Sequence, residues 1–319
     1  MGSFGDGLVV NALWSLTLSL VPSELSLSVG SATSPAGRPN NEDAILVKSL
    51  SALEPGGSGG IVLAVADGMG GHARGEVASQ LAISLLEDLF ARDTPEDVTL
   101  ALKQAYRRAN EAIWSQSSAD DAASRMGTTL VSAVVHGKYA TIANVGDSRA
   151  YLIRAKQLTQ ITQDHSLVAE QVAKGVISEQ EARRSPQRNI VTQALGLSET
   201  LDRRMPSIYE ITLLPEDRLL LCSDGFFDVL QSEDYVSTIL DRNPQDSVLA
   251  LTSMAIDRGT TDNVSAIVLE VSPSLATVQR EQIGTEIAAK APRINPLLFP
   301  IVLILILILA IVAGVYFYL

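Results

Sequence analysis

The run Ile61-Val-Leu-Ala-Val-Ala66 is apolar at every position and lacks the polar alternation of a strand with one wet face. A strand of this kind needs cover on both sides, so the chain has to build layers around it. Asp67-Gly68-Met69-Gly70-Gly71-His72 follows at once, and a helical pattern begins just after. That order puts a carboxylate at the rim of a buried sheet, with glycines that let backbone approach an ion or ligand closely.

Short β-rich runs surround this segment: Leu25–Gly30, Ala44–Lys48, Thr128–His136, Tyr139–Val145, Ala150–Arg154, Ile208–Leu213, Arg218–Cys222 and Asn263–Val271. The hairpin spacing of Thr128–His136, Gly137-Lys138 and Tyr139–Val145 predicts antiparallel pairing. Helices are predicted over Ala73–Ala91, where Val77, Leu81, Leu85, Leu86 and Leu89 recur at helical spacing. Two more are predicted from Thr94-Pro95-Glu96-Asp97 to about Ser115, and from Asn243-Pro244-Gln245-Asp246 to near Gly259, each opened by a cap residue and a first-turn proline. Close-set strands and paired helices suggest two packed sheets with helices outside them. The stretch Ser166–Met205, helical at first and then irregular and basic, reads as an insertion between sandwich strands.

The 36 acidic residues outnumber 24 basic ones, a formal charge of −12, which argues against nucleic acid as a partner. The single cysteine, Cys222, excludes an internal disulfide framework. The 3 histidines, His72, His136 and His165, are too scattered for a histidine-rich zinc site.

Besides Asp67-Gly68, three acidic segments fall at predicted strand ends: Arg38-Pro39-Asn40-Asn41-Glu42-Asp43, Ser223-Asp224-Gly225 and Thr261-Asp262-Asn263. Each taken alone is ordinary turn chemistry. Carboxylates converging on one sheet edge would repel one another unless cations lay between them, and hard oxygen ligands select Mg²⁺ or Mn²⁺.

These segments, with Met126-Gly127-Thr128-Thr129 and Gly146-Asp147-Ser148-Arg149 in the same order, resemble bacterial metal-dependent Ser/Thr protein phosphatases of the protein phosphatase 2C (PPM) family over about Ser28 to Val271. The resemblance implies an α+β fold, a four-layer αββα sandwich of two antiparallel sheets flanked by helices. It implies two Mg²⁺ or Mn²⁺ ions at one end, with phosphorylated proteins, including Ser/Thr kinases and their substrates, as partners. By the same resemblance Asp67 bridges the two ions and the Gly68 carbonyl binds one of them. Asp224 and Asp262 complete the ligands of the other, and Glu42 and Asp43 contact metal directly or through water. Arg38 clamps the phosphate, which suits a bidentate guanidinium better than a lysine. His72 is a candidate proton donor to the leaving oxygen, with a water on the cations as the alternative, because Met69 stands where other branches favour histidine.

The chain departs from that pattern at Ser124. Many bacterial relatives place there an aspartate that helps hold a third, weaker ion, and Asp120 and Asp121 are offset from it by several residues. Pro35 and Pro39 also make the approach to Arg38 richer in proline than usual. Asp147 and His165 read as turn or cap residues, and Cys222 as a core thiol.

Leu297–Leu319 carries no charged residue and is apolar all round. As a helix it would extend roughly 35 Å, enough for a hydrocarbon core of about 30 Å. A single C-terminal transmembrane helix is therefore expected, and Arg280, Lys290 and Arg293 on its N-terminal side place the bulk of the chain in the cytoplasm. The expected organisation is an N-terminal segment 1–23 with no assigned role, a catalytic domain 24–271, a linker 272–296 and the span 297–319. Leu8–Val21 is fairly apolar, but Met1–Gly7 holds no Lys or Arg and carries Asp6, so no secretory signal is expected. Truncation before Leu297 should move the protein from the membrane pellet to the soluble fraction in an active form. Full-length protein found wholly in the soluble fraction would refute the anchor.

Overall fold

A computed structural model describes residues 25–50, 59–70, 74–91, 95–117 and 125–273. The expected N-terminal segment, nearly all of the linker and the expected span lie outside the described residues, as do His72, Thr94 and Ser124. No helix among the described residues is long and apolar enough to cross a membrane.

One sheet takes the order β1 (Leu25–Ser34), β11 (Val264–Pro273), β10 (Arg218–Cys222), β7 (Arg149–Arg154) and β8 (Gln157–Gln160). The other runs β2 (Asp43–Ser49), β3 (Gly60–Gly70), β5 (Leu130–His136), β6 (Tyr139–Val145) and β9 (Ser207–Thr212), with β4 (Met126–Thr128) added at the end of β3. The paired strands are antiparallel. Seven helices are described: α1 (Arg74–Leu89), α2 (Val98–Gln116), α3 (Leu167–Ala173), α4 (Glu179–Arg184), α5 (Asp224–Phe227), α6 (Ser232–Leu240) and α7 (Pro244–Asp257).

The buried run in β3 divides its side chains between two cores, as its lack of alternation requires. Ile61, Leu63 and Val65 face the space between the sheets, where they meet Leu219, Leu221, Ile267 and Leu269. Val62, Ala64 and Ala66 face Ala78, Ala82 and Leu86 of α1 and Leu102 and Tyr106 of α2. On the far side Leu220, Cys222, Ala266 and Val268 pack under α6 and α7 through Tyr235, Ile239, Val248 and Leu251. Helices, sheet, sheet and helices thus stack in four layers.

Several local expectations change. The predicted strand Thr128–His136 breaks into β4 and β5, because Thr129 leaves the ladder to hold the Asp67 backbone. The cap of α2 is Asp97, whose carboxylate accepts from the Leu100 N–H at 2.8 Å, so Pro95 lies ahead of the helix. Asn243 caps α7 in the predicted manner, with Pro244 in the first turn. β8 escapes the sequence reading because Gln157–Gln160 is mostly exposed and polar.

Tyr106 ties α2 to the sheet from a fully buried position. Its hydroxyl lies 2.8 Å from the Ala143 carbonyl, 2.9 Å from Ser132 Oγ and 3.2 Å from the Leu130 carbonyl. Tyr106→Phe would leave those acceptors short of a donor, so urea denaturation should show a loss of about 1–3 kcal/mol.

Candidate metal centre

Five strand ends meet at one end of the sandwich. In one sheet β2 starts beside the end of β3, with Asp43 paired directly to Asp67. In the other, β11 starts beside the ends of β1 and β10, with Val264 opposite Ser34 and Ala266 opposite Cys222. Hydrogen bonds join the two sheets here: Ser223 Oγ donates to Asp43 Oδ2 at 2.9 Å, and the Glu42 N–H donates to Asn263 Oδ1 at 2.9 Å. The Asn263 amide also donates to the Pro35 and Asn40 carbonyls, holding the loop that carries Arg38. Glu42, Asp43, Asp67, Gly68, Asp224 and Asp262 are thereby gathered from four distant parts of the chain.

The backbone at Asp67 is fixed from behind. Its N–H donates to Thr129 Oγ1 at 3.0 Å, and its carbonyl accepts from the Thr129 N–H and Thr128 Oγ1, each at 2.9 Å. Gly68 lies so close to the first turn of α1 that a Cβ there would strike the Gly75 carbonyl, and a Cβ on Gly75 would come within 2.8 Å of the Gly68 carbonyl. The two glycines allow a contact that no larger residue permits. Asp224 opens the short helix α5, a turn of helix where the sequence suggested a plain Ser-Asp-Gly turn.

Burial and crowding disfavour charge on these acids. Desolvation raises Asp43 to about 6, against opposing hydrogen bonds from Ser265 and Ser223. Asp67 is pushed well above the usual carboxylate range by burial, then by the charges of Asp43, Asp224, Asp147 and Asp262. Asp224 is raised in the same way by burial, then by Asp147, Asp262 and Asp228. Glu42 is raised by burial, and the Arg38 charge opposes the shift. Arg38 lies at the rim, its Nη2 2.7 Å from Asp262 Oδ2 and its Nε 3.0 Å from the Thr261 carbonyl.

The donor set suits hard divalent cations. Asp43 Oδ1 and Asp224 Oδ1 are buried with no hydrogen-bond partner, and among the described residues no hydrogen bond reaches the Asp67 carboxylate. Buried carboxylate oxygens without partners, among acids whose charges act on one another, suit a divalent cation. Among the described residues, no three Asp, Glu, His or Cys side chains form a ready-made metal cage. Asp262 is turned to Arg38 and Asp43 to Ser223, so ligation would reorient side chains on a backbone already in place.

Two further acids belong to this neighbourhood. Asp147, read from sequence as a turn residue, is buried, and its charge raises both Asp67 and Asp224. Asp228 follows Asp224 by one helical turn, a spacing that was readable once α5 was known to be helical. With Asp224 they line a cavity of about 770 Å³ that extends under α3 and α4 to Arg183 and Arg188.

A family model described as protein phosphatase 2C matches residues 29–264. The chain belongs to that family. It is 36% identical over 234 residues to the serine/threonine protein phosphatase PstP of Mycobacterium tuberculosis, a match covering 73% of this chain and 43% of PstP. The chain therefore spans less than half the length of that protein. It is 34% identical over 216 residues to the serine/threonine phosphatase stp of Listeria welshimeri, covering 66% of this chain and 84% of that one. Among solved structures, the catalytic domain of PstP in complex with 2 manganese ions aligns with a TM-score of 0.67 at 33% identity, covering 78% of this chain and 99% of that one. Stp1 from Staphylococcus aureus aligns with a TM-score of 0.68 at 31% identity, covering 79% and 96%.

The acids of this phosphatase 2C domain make a signed prediction for the chelated protein. Asp147 is raised from 3.8 to about 6, chiefly by burial and next by Asp164. A folded pKa above the unfolded one stabilises below the unfolded pKa, and that contribution is lost as pH rises through the folded value. The shift corresponds to on the order of 3 kcal/mol. Denaturation in EDTA should therefore show stability falling between about pH 4 and pH 7, with a shallower slope for Asp147→Asn.

Proposed function

We propose that this protein is a metal-dependent protein-serine/threonine phosphatase, a phosphoric monoester hydrolase acting on phosphorylated proteins at the cytoplasmic face of a membrane. The observation that carries this reading is the convergence of Asp43, Asp67, Asp224 and Asp262 at one sandwich end, with orphaned carboxylate oxygens inside and an arginine at the rim. Family membership supports it, as do the named activities of the relatives and the manganese in PstP.

In this reading Asp67, the Gly68 carbonyl, Asp224 and Asp262 would hold two Mg²⁺ or Mn²⁺ ions, and Glu42 and Asp43 would complete the shell directly or through water. When bound, the ions supply Lewis-acid polarisation of the phosphoryl group and activation of a water for in-line attack. The chain's own part is positional. Thr128, Thr129 and Ser223 keep the carboxylates in register. Arg38 pairs with Asp262 and presents its guanidinium at the mouth, where it binds phosphate oxygens and offsets their charge. His72 remains the candidate proton donor. The flanking cavity, with Arg183 and Arg188 on one wall, is where the rest of a phosphoprotein would lie. The membrane placement rests on the apolar sequence Leu297–Leu319 alone. The formal charge of −12 argues against nucleic acid as a partner.

A phosphothreonine peptide should be hydrolysed with Mn²⁺ and not in EDTA. Asp67→Asn should lower kcat by at least about a hundredfold. Arg38→Lys should lower kcat/KM by about tenfold through loss of the bidentate contact. Absence of hydrolysis in Mn²⁺, or full activity in Asp67→Asn, would sink the reading.

A further inference from the structure

The insertion between β8 and β9 has its two ends joined by one imidazole, at what is here its neck, and its later part is held separately by Leu195 on Thr128 and by Asn110 on Gly196. His165 Nδ1 accepts from the Gly146 N–H at 3.0 Å, and its Nε2 lies 3.1 Å from Ser207 Oγ. Its backbone N–H donates to the Gly146 carbonyl at 3.0 Å, and its carbonyl accepts from the Thr192 N–H at 2.8 Å. Ser207 is the first residue of β9, where the insertion ends, while Thr192 lies within it and Gly146 directly precedes Asp147.

A ring nitrogen that accepts from an amide carries no proton, so the proton sits on Nε2 and is donated to Ser207 Oγ. Burial lowers the pKa of His165, which keeps the ring in the neutral form this arrangement needs. The contacts continue inward. Ser148 Oγ lies 2.7 Å from Thr129 Oγ1, and the same Thr129 oxygen accepts from the Asp67 N–H. Hydrogen-bonded groups thus run from the neck of the insertion through Gly146–Ser148 to the backbone of Asp67.

We propose that His165 is a positioning residue that locks the neck of the insertion to the Gly146–Ser148 turn, so that the surface over the cavity and the acidic centre keep one register when a phosphoprotein binds. It touches no reacting atom. Its effect falls on substrates large enough to reach the insertion and spares small phosphate esters. The substrate part rests on the phosphatase reading, whereas the mechanical coupling does not.

The test combines amide hydrogen exchange with steady-state kinetics on the full chain in Mn²⁺. Wild type is compared with His165→Ala, Ser207→Ala and His165→Asn, whose amide oxygen can stand in for Nδ1. His165→Ala should speed exchange about tenfold at Gly146–Ser148 and across 166–192 together, while the part held by Leu195 and Asn110 keeps its protection. It should raise KM for a phosphothreonine peptide about tenfold and leave kcat for p-nitrophenyl phosphate within about twofold. His165→Asn should recover most of both effects, and Ser207→Ala should loosen the same two segments less. Exchange unchanged at Gly146–Ser148, equal losses on peptide and small ester, or no recovery in His165→Asn would each overturn the proposal. If His165→Ala does not fold, the exchange of His165→Asn and Ser207→Ala decides it on the same terms. Wild type inactive on both substrates would defeat the phosphatase reading, and the exchange data would still decide the coupling.

Discussion

Asp43 and Asp67 stand opposite each other across two antiparallel strands, and Asp224 and Asp262 face them from the second sheet. Like charges in direct cross-strand pairing repel, and burial makes the repulsion stronger because little water screens it. Every surrounding feature answers that constraint. Ser223 donates to Asp43, Arg38 pairs with Asp262, and Thr128 and Thr129 carry the backbone bonds that hold Asp67 in place. Asp43 Oδ1 and Asp224 Oδ1 remain buried without partners, a donor set that suits divalent cations.

The sandwich can hold such an arrangement because its cores are not shared with the site. Apolar packing between the sheets and beneath each helical layer fixes the strands, and the acids cluster at strand ends. Rigid strands deliver carboxylates with less positional scatter than loops would. Gly68 and Gly75 bring the first turn of α1 against the end of β3, so the helix layer also bears on the centre. On the opposite flank, Arg149 grips Asp164 with a two-pronged ion pair and stacks 3.5 Å over the Phe227 ring, joining the approach to the insertion to the helix that carries Asp224.

What could be read in advance depended on how local the cause was. The covered strand at Ile61–Ala66, the hairpin at Gly137-Lys138 and the Asn243-Pro244 cap follow from neighbouring residues, and the structure matches them. β8 has a polar, exposed sequence, and its strand conformation is imposed by pairing with β7. Asp147 and His165 looked like turn residues for a similar reason. Nothing within several residues of either reveals that one faces an acidic cluster and the other spans the neck of an insertion.

The sequence by itself determined the layered sandwich and the identity of the acidic segments, because hydrophobic periodicity and strand-end carboxylates are properties of short stretches of chain. Family resemblance then attached roles to Arg38, Glu42, Asp43, Asp67, Gly68, Asp224 and Asp262. The tertiary structure alone decided which oxygens lack partners, which acids have their pKa raised by burial, and that Asp262 meets Arg38 while Asp43 meets Ser223. Those outcomes depend on distances between residues far apart along the chain, and such distances exist only once both sheets have closed on each other.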